Sequence, residues 1–457
     1  MKLKRILWSI LLILVIAGAT ICYIRWDAWF YIPPEPNYEL LNTPQRVIVT
    51  PGEEAIHQRN ISWVTGTDST QTLFLLSPDS VWVTQNTHTQ NVKTHGGNTI
   101  IYNAQLRVEN TPLVYRIANA SGKEVFIQDT LYPYNAKQDT LIYIGDIQDT
   151  EKGMSDSIIL HIAKRYPNPA SWIFGGDVIE RGYDKYWKIW YESIKPFCTH
   201  TPLIAVTGNH EHTKGLFKEL DPRWVPTFNF PHNSPVLTGS NFFTDFNHCR
   251  IVCINTDGMD RISRITQTRE WLKQTLLNYT GFKIVVFHHA IYPARAGRFH
   301  PIMYTTLKGI LEDPKYQVAL VLQGHDHSYA RRWATTSNSP STPAYVISTF
   351  SNKCYPNKFD DSFDKLGSGT KWYQVISISA DTLHYQSFLT NNTLYDDFKV
   401  IRHKEGTLSV QDLGREIPEV HTLTFPNSRK GEKAAKAYAK GKADRLEYLR
   451  SRSTSLP

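Results

Sequence analysis

Asp, Asn and His recur in this chain at the ends of short apolar runs. Without cysteine beside them, these are ligands for hard or borderline divalent cations. Thr140-Leu141-Ile142-Tyr143-Ile144 runs into Gly145-Asp146-Ile147-Gln148-Asp149. Ala170-Ser171-Trp172-Ile173-Phe174 runs into Gly175-Gly176-Asp177-Val178-Ile179-Glu180-Arg181-Gly182. Pro202-Leu203-Ile204-Ala205-Val206 precedes Gly208-Asn209-His210-Glu211. Lys283-Ile284-Val285-Val286-Phe287 leads to His288-His289, and Val318-Ala319-Leu320-Val321-Leu322 leads to Gln323-Gly324-His325-Asp326-His327. Short apolar runs stopped by turn residues read as buried strands, and α/β sheets bind ligands beyond the carboxyl ends of their strands. One such ending is an ordinary turn. Five in succession predict a metal site.

The chemistry follows from the ligand types. An Asp between two clusters can bridge two ions, and two ions can clamp a phosphate and activate water. His210, beside Asn209, is placed to protonate a leaving group or to hold a phosphate oxygen. Glu211 is expected to orient His210. Two readings of Arg181 stay open, phosphate binding and structuring of its turn. Tyr292, Arg295, Arg298 and His300 come after the fourth motif, where substrate-facing and plain loop roles are both open.

Taken together the motifs resemble the calcineurin-like metallophosphoesterases, in that family's order. A preceding β-rich region with Ile61-Ser62-Trp63-Val64-Thr65 narrows the resemblance to the purple acid phosphatase-like branch, over about 45–395. The resemblance implies one metal on Asp146, Asp177 and His327, with Gln148, and another on Asp177, Asn209, His288 and His325, with His289 in reserve. Asn209, His210 and Arg181 would meet substrate. The cofactors implied are two divalent or mixed-valence ions, Fe, Mn or Zn, and the substrate a phosphate ester. Monoester and diester hydrolysis both stay open, as does a binding or sensing protein that lost turnover. The chain departs from the branch at three places. Glu180 stands where the branch carries Tyr, Gln148 where the wider family carries His, and Ala330 where Glu is usual. The first site thus loses both usual ligands.

The positioning elements are read from periodicity. The implied fold is an α/β (α+β) four-layer sandwich of two stacked sheets flanked by helices over 138–398, preceded by an all-β, fibronectin-like sandwich over 45–137. Helices are expected after Ser155, with Ile158, Ile159 and Ile162 on one face, over Tyr183–Ile194, and over Thr266–Leu277. Asn241–Phe246 and Arg250–Ile254 read as a strand pair. His57, His88 and His95 are scattered through the sandwich and read as surface or packing residues.

At the amino terminus, Ile6–Ile24 carries no charge, and roughly 20 apolar residues span a bilayer. An uncleaved anchor (1–25) is expected over a signal peptide, because Ala17-Gly18-Ala19 lies inside the apolar run. Lys2, Lys4 and Arg5 before the span place the remainder outside the cytoplasm. Residues 26–44 read as a stiff linker rich in Trp, Tyr and Pro. Residues 399–457 read as a basic, solvated or frayed helix, with attachment to an acidic partner as the alternative. The net charge of +8 gathers at the two ends, so it carries no nucleic-acid-binding motif. Cys249 and Cys253 share a strand face and are too far apart to bridge. By the resemblance, a tyrosinate on ferric iron gives the purple enzymes their colour. Glu180 cannot supply that band, and Tyr183 falls on the next helix, pointing away. The iron-loaded protein should therefore be colourless, and a visible absorption band would show that a tyrosine reaches the first metal.

Overall fold

The computed structural model describes residues 2–67, 70–94, 96–134, 139–215, 217–336 and 339–454. His95 and the expected domain boundary at 137/138 lie outside them.

Three of the ligand-tipped strands, Asp139–Ile144, Ser171–Phe174 and Leu203–Ala205, pair in parallel. Parallel neighbours need a crossover, and the helices Asp156–Arg165 and Asp184–Ile194 supply it. The sheet continues antiparallel through Trp372–Ile378, Thr382–Leu389, Leu394–Arg402 and Leu408–Asp412, seven strands in all. The other two ligand-tipped strands, Phe282–Phe287 and Val318–Gln323, lie parallel in a second seven-stranded sheet, beside Cys249–Ile254. The helices Ile262–Leu277 and Pro301–Leu311 connect them.

The second sheet is buried on both faces, and its side chains alternate between two cores. Ile251, Cys253, Ile284, Val286, Leu320 and Leu322 join a cluster with Leu141, Ile142 and Ile376 of the first sheet. Val252, Ile254, Val285, Phe287 and Val321 join another with Trp271, Leu272 and Leu307 of the two helices. One face thus packs on the first sheet and the other on helices. Each large side chain so buried contributes roughly 2 kcal/mol. The packing fixes the two sheets against each other, and with them the loops at their ends.

Two four-stranded sheets built from Gln45–Leu131 share the core of Val47, Ile61, Trp63, Leu73, Tyr115 and Ile117. This β-sandwich is fastened to the α/β part by buried polar contacts. Arg46 Nη1 meets Asp184 Oδ1 at 2.7 Å, Thr50 Oγ1 donates to the Phe228 carbonyl at 2.7 Å, and Asn103 Nδ2 donates to the Pro226 carbonyl at 3.0 Å.

Several expectations need correction. The helix Pro301–Leu311 is not among the expected elements, although Pro301 opens it at a position where its missing N–H costs nothing. The α/β part does not end at 398. That position falls inside the strand Leu394–Arg402, and Leu408–Asp412 adds a further edge. The basic tail forms a helix, Arg429–Thr454, that is docked rather than solvated. Its Arg445 is 1% exposed and donates to the Phe363 carbonyl at 2.9 Å and to Glu419 Oε1 at 2.8 Å. Tyr438 packs against Phe359. The weak apolar face hid this, because the contact is carried by ion pairs, hydrogen bonds and the Tyr438 aromatic cluster rather than by an apolar stripe. The cysteines are all free.

The linker is docked as well. The Glu35 carboxylate is buried, accepts the Asp184 N–H at 2.6 Å and meets Arg223 Nη1 at 2.8 Å. Arg223 also holds Asp184 and Asp221. Removing one partner of a buried pair leaves the other charge uncompensated. Arg223→Ala should therefore cost about 3–5 kcal/mol in urea unfolding, whereas exposed-pair substitutions such as Lys273→Ala should cost under about 1 kcal/mol.

Candidate dinuclear metal centre

The five turns converge where the two sheets meet. Asp146, Asp177, His325 and His327 all have positive φ, at 41°, 49°, 71° and 48°. Such conformations are uncommon for residues with a Cβ and persist only where their surroundings over-determine them. Close approach explains two of the glycines. A Cβ on Gly176, itself at φ 90°, would stand 2.6 Å from His288 Nδ1, and one on Gly208 would stand 2.2 Å from Asp177 Oδ1. Each turn can reach its neighbour only because that Cβ is missing.

Two ligand groups share one carboxylate. Asp146, Asp177 and His327 offer atoms all within 4.8 Å of one another, and so do Asp177, His288 and His325. Asp177 Oδ2 lies 3.2 Å from His288 Nε2. The His288 Nδ1–H donates to the Gly175 carbonyl at 3.0 Å, which leaves Nε2 as the lone pair. That nitrogen faces His325 Nδ1 at 3.2 Å, a separation two ligands of one cation can share. His327 Nδ1 faces the Lys353 carbonyl at 2.9 Å, freeing its Nε2 in the same way. Asp146 Oδ1 accepts the His325 N–H at 2.9 Å, while Asp146 Oδ2 and Gln148 Oε1 are buried without a partner. Buried oxygens aimed into a cluster of imidazoles fit a cation. The donor set of oxygen and nitrogen fits Fe, Mn or Zn.

The remaining residues take defined places. Gln148 Nε2 donates to Glu180 Oε2 at 2.9 Å and faces His210 Nε2 at 3.2 Å. Glu180 thus holds Gln148 by its side chain, and its backbone carbonyl takes the His210 Nδ1–H. Tyr183 turns away, donating to the Pro33 carbonyl. Asn209 and His210 sit on a short 3₁₀ turn whose His210 N–H donates to Asp177 Oδ1 at 3.0 Å. Asn209, His210 and Arg181 line one cavity.

Glu211 does not orient His210. Its carboxylate accepts the backbone N–H groups of Asp177 (3.0 Å), Ile179 (3.2 Å) and Gly208 (2.6 Å). It locks the turn of the shared Asp177 to that of Asn209, and Glu180 takes the role expected of it. Among the four residues after the fourth motif, Tyr292 donates to Glu312 at 2.6 Å, and the Arg295 guanidinium stacks over Tyr355. Arg298 is exposed. His300 alone reaches the ligand cluster, in a third group with His289 and His325. His289 therefore lies outside both groups that contain Asp177, with its Nδ1 3.0 Å from Thr256 Oγ1. Sequence reasoning missed Asp326. It accepts the Ala294 and Arg295 N–H groups at 2.6 and 3.1 Å and ties down that loop. A carboxylate between two histidine ligands was the available signal.

Residues 140–329 match the family model for calcineurin-like phosphoesterase. They form a calcineurin-like phosphoesterase domain. Over 177 residues the chain is 22% identical to "Purple acid phosphatase 15" of Arabidopsis thaliana, covering 37% of this chain and 33% of that protein. The chain spans about a third of the length of that relative. The similarity, with the family-model match, supports the purple acid phosphatase-like branch. Among solved structures, a conserved uncharacterized protein of Streptococcus pneumoniae TIGR4, described as a predicted phosphoesterase, aligns at 10% identity. It covers 60% of this chain and 98% of its own, with a TM-score of 0.27. A Paenibacillus cycloisomaltooligosaccharide glucanotransferase aligns at 12% identity over 63% and 45% of the two chains, with a TM-score of 0.17. Neither score supports an argument.

The metal-free phosphoesterase domain carries an electrostatic load. Burial pushes Asp146 up to about 8, against the pull of His288. Burial and the Asp177 charge push Glu211 up to about 8. Burial would lower His288, but the Asp177 carboxylate outweighs it and raises the imidazole to about 10. Burial opposes ionisation of Asp177 too, yet His288 and His210 hold it well below the usual range. Burial lowers His327 to about 3. Asp146 and Glu211 have folded pKa values above their unfolded ones. They favour the folded state while protonated, and that contribution is lost as pH rises toward 8. His288, raised to about 10, adds to the same slope above pH 6.5, where its unfolded imidazole is neutral and the folded one is still protonated. The metal-free protein should melt lower at pH 8 than at pH 6.5, and added Mn²⁺ or Zn²⁺ should raise the melting temperature more at pH 8. A flat metal-free profile would mean that neither these carboxyls nor His288 keep their raised pKa values.

Proposed function

We propose that this chain hydrolyses phosphate esters outside the cytoplasm with two metal ions, phosphomonoesters foremost. The observation that supports this reading is Asp177, whose carboxylate belongs to two ligand groups at once. Asp146, Asp177 and His327, with Gln148, would hold one cation, and Asp177, Asn209, His288 and His325 the other. Bound there, the pair supplies Lewis acidity toward the phosphoryl oxygens and the attacking water.

The chain's own groups do the rest. Asn209 and Arg181 orient the phosphoryl group at the cavity they line with His210. His210 donates its Nδ1–H to the Glu180 carbonyl, so Nε2 is the atom that gains and gives a proton. Protonated at Nε2, it delivers that proton to the leaving oxygen. In the neutral imidazole the Nε2 lone pair faces the Gln148 amide N–H, which Glu180 holds. Within this proposal the two seven-stranded sheets are the inner layers of a four-layer sandwich, and the amino-terminal sandwich is fibronectin-like. Residues 1–25 form an anchor, 26–44 a docked strap, and the helix Arg429–Thr454 belongs with the catalytic domain. Diester or nucleotide hydrolysis at the same site, and a weakened binding protein, are the other readings. Gln148 and Glu180 at the first metal favour the last of these.

Asp177→Asn should abolish hydrolysis of p-nitrophenyl phosphate and lower the bound metal, measured by elemental analysis of the purified protein. Undiminished turnover would remove Asp177 from the reaction. A wild-type protein that binds two metals but turns over neither p-nitrophenyl phosphate nor its bis ester would favour the binding protein. His210→Ala should lose more rate on an alkyl phosphate than on p-nitrophenyl phosphate, whose leaving group needs no proton. Equal losses would leave His210 as a phosphate-binding group only.

A further inference from the structure

The helix Lys4–Ile24 is apolar and long enough to cross a membrane, and none of it is buried against the protein. The strap that leaves it is not a free tether. Little more than one helical turn later, Trp29, Phe30 and Ile32 form one wall of a cavity of about 590 Å³. Asn209, His210 and Arg181 form another wall. The strap is fastened at three points. Lys214 Nζ donates to the Asp27 and Tyr31 carbonyls at 2.8 and 3.1 Å, Tyr183 donates to the Pro33 carbonyl, and Glu35 is held by Arg223. Five residues of chain reach at most about 18 Å. The end of the apolar helix is therefore tied close to the mouth of the metal centre.

The rim of that mouth carries apolar side chains in water. Lys218 lines both this cavity and a neighbouring one of about 310 Å³, which His300 and Ile302 also line. Of the lining residues, Ile302 and Trp29 are each 44% exposed; next in sequence to the lining Lys218 and His300, Phe217 is 61% and Phe299 60% exposed, and Ile262, two residues after the lining Asp260, is 83% exposed. Arg261 lies over the Phe217 ring, and Arg261, Arg298 and Lys214 are exposed among them. Singly exposed apolar residues need no explanation. Borne by or adjoining the segments that line two cavities sharing Lys218, with Arg261 over Phe217 and a membrane-length helix beside the first cavity, they match an interfacial surface. There aromatic and aliphatic groups enter the headgroup layer and cations meet lipid phosphate.

We propose that the substrate is a phosphate ester of a membrane lipid, whose headgroup phosphate enters the cavity between the strap and Asn209–His210 while its apolar body stays in the bilayer. This rests on the phosphoesterase reading above. Hydrolysis consumes one water. Its oxygen bonds to phosphorus, the phosphorus–oxygen bond to the lipid breaks, and the lipid alcohol takes the proton of His210 Nε2, which the water's released proton restores. The products are inorganic phosphate and the lipid alcohol.

The full chain is reconstituted with metal in phosphatidylcholine vesicles. Phosphate release is measured from phosphatidic acid and from a long-chain prenyl phosphate in those vesicles, and from dissolved glycerol 3-phosphate and p-nitrophenyl phosphate. At least one lipid should be hydrolysed about tenfold faster than glycerol 3-phosphate, a modest gain in effective concentration. The double variant Phe217→Ser/Ile262→Ser should reduce that lipid-to-soluble ratio several-fold. If p-nitrophenyl phosphate is turned over but neither lipid outpaces glycerol 3-phosphate, the lipid proposal falls and the phosphoesterase reading stands. A ratio that survives the double variant overturns the rim as the membrane contact. Turnover of none of the four overturns both.

Discussion

The position of one carboxylate organises this protein. Asp177 is buried, sits at a positive φ, and offers its oxygens to both ligand groups. A buried carboxylate between imidazoles and a second carboxylate is stable only where charge and hydrogen bonding compensate it. Two features do so: His288 faces one oxygen and the His210 N–H donates to the other. Glu211 instead holds the backbone N–H of Asp177 with those of Ile179 and Gly208. Glu211 is thus a strut rather than a partner of His210. It binds two turns that leave different strands of the same sheet, and so sets the distance between the shared carboxylate and Asn209.

That arrangement needs both sheets. Asp146, Asp177 and Asn209 come after strands of the first, and His288, His325 and His327 after strands of the second. The core beneath is what holds the sheets at a fixed separation. The Ile251, Ile284, Val286 and Leu320 face of the second sheet is buried in one cluster with Leu141, Ile142 and Ile376 of the first. Interiors packed to crystal density transmit small shifts rather than absorbing them. A methylene lost there would be felt at the ligands. The strained φ values at four ligand positions are sustained by this packing and by the glycines that let the turns interpenetrate.

The first metal position shows how a departure in sequence is accommodated. Glu180 and Gln148 stand where the resemblance supplies Tyr and His. They bond to each other and together hold His210. The side of the site that departs from the resemblance carries a network that fixes the His210 imidazole. Gln148 Oε1 remains a buried acceptor without a partner. Around the centre, the strap and the tail helix are each held by buried ion pairs, Glu35 with Arg223 and Glu419 with Arg445. Buried pairs of this kind contribute register more than net stability.

The candidate ligand residues could be picked out in one dimension, because period, glycine and residue type all act over a few positions. Apolar runs stopped by glycine, each leading to Asp, Asn or His, specify strand, turn and ligand together, and the amphipathic helices around Ile159, Trp187 and Trp271 are read from spacing alone. The sandwich was legible for the same reason, apart from polar edge strands such as His88–Thr94, where alternation carries no apolar signal. Partnership was not legible. Glu211 beside His210 suggested a pair, yet its carboxylate turns to backbone groups 32 and 34 residues away. His289 beside His288 suggested a spare ligand, yet consecutive side chains leaving a strand diverge, and it faces Thr256. The strap and the tail carry little apolar periodicity, so nothing local marked them as docked. Their contacts are ion pairs between residues such as Glu35 and Arg223, 188 apart in sequence. Sequence by itself determined which chemistry was available, because residue type and local spacing decide that. Tertiary structure alone decided which groups act on one another, because the distances that matter are set by two sheets closing on a shared core.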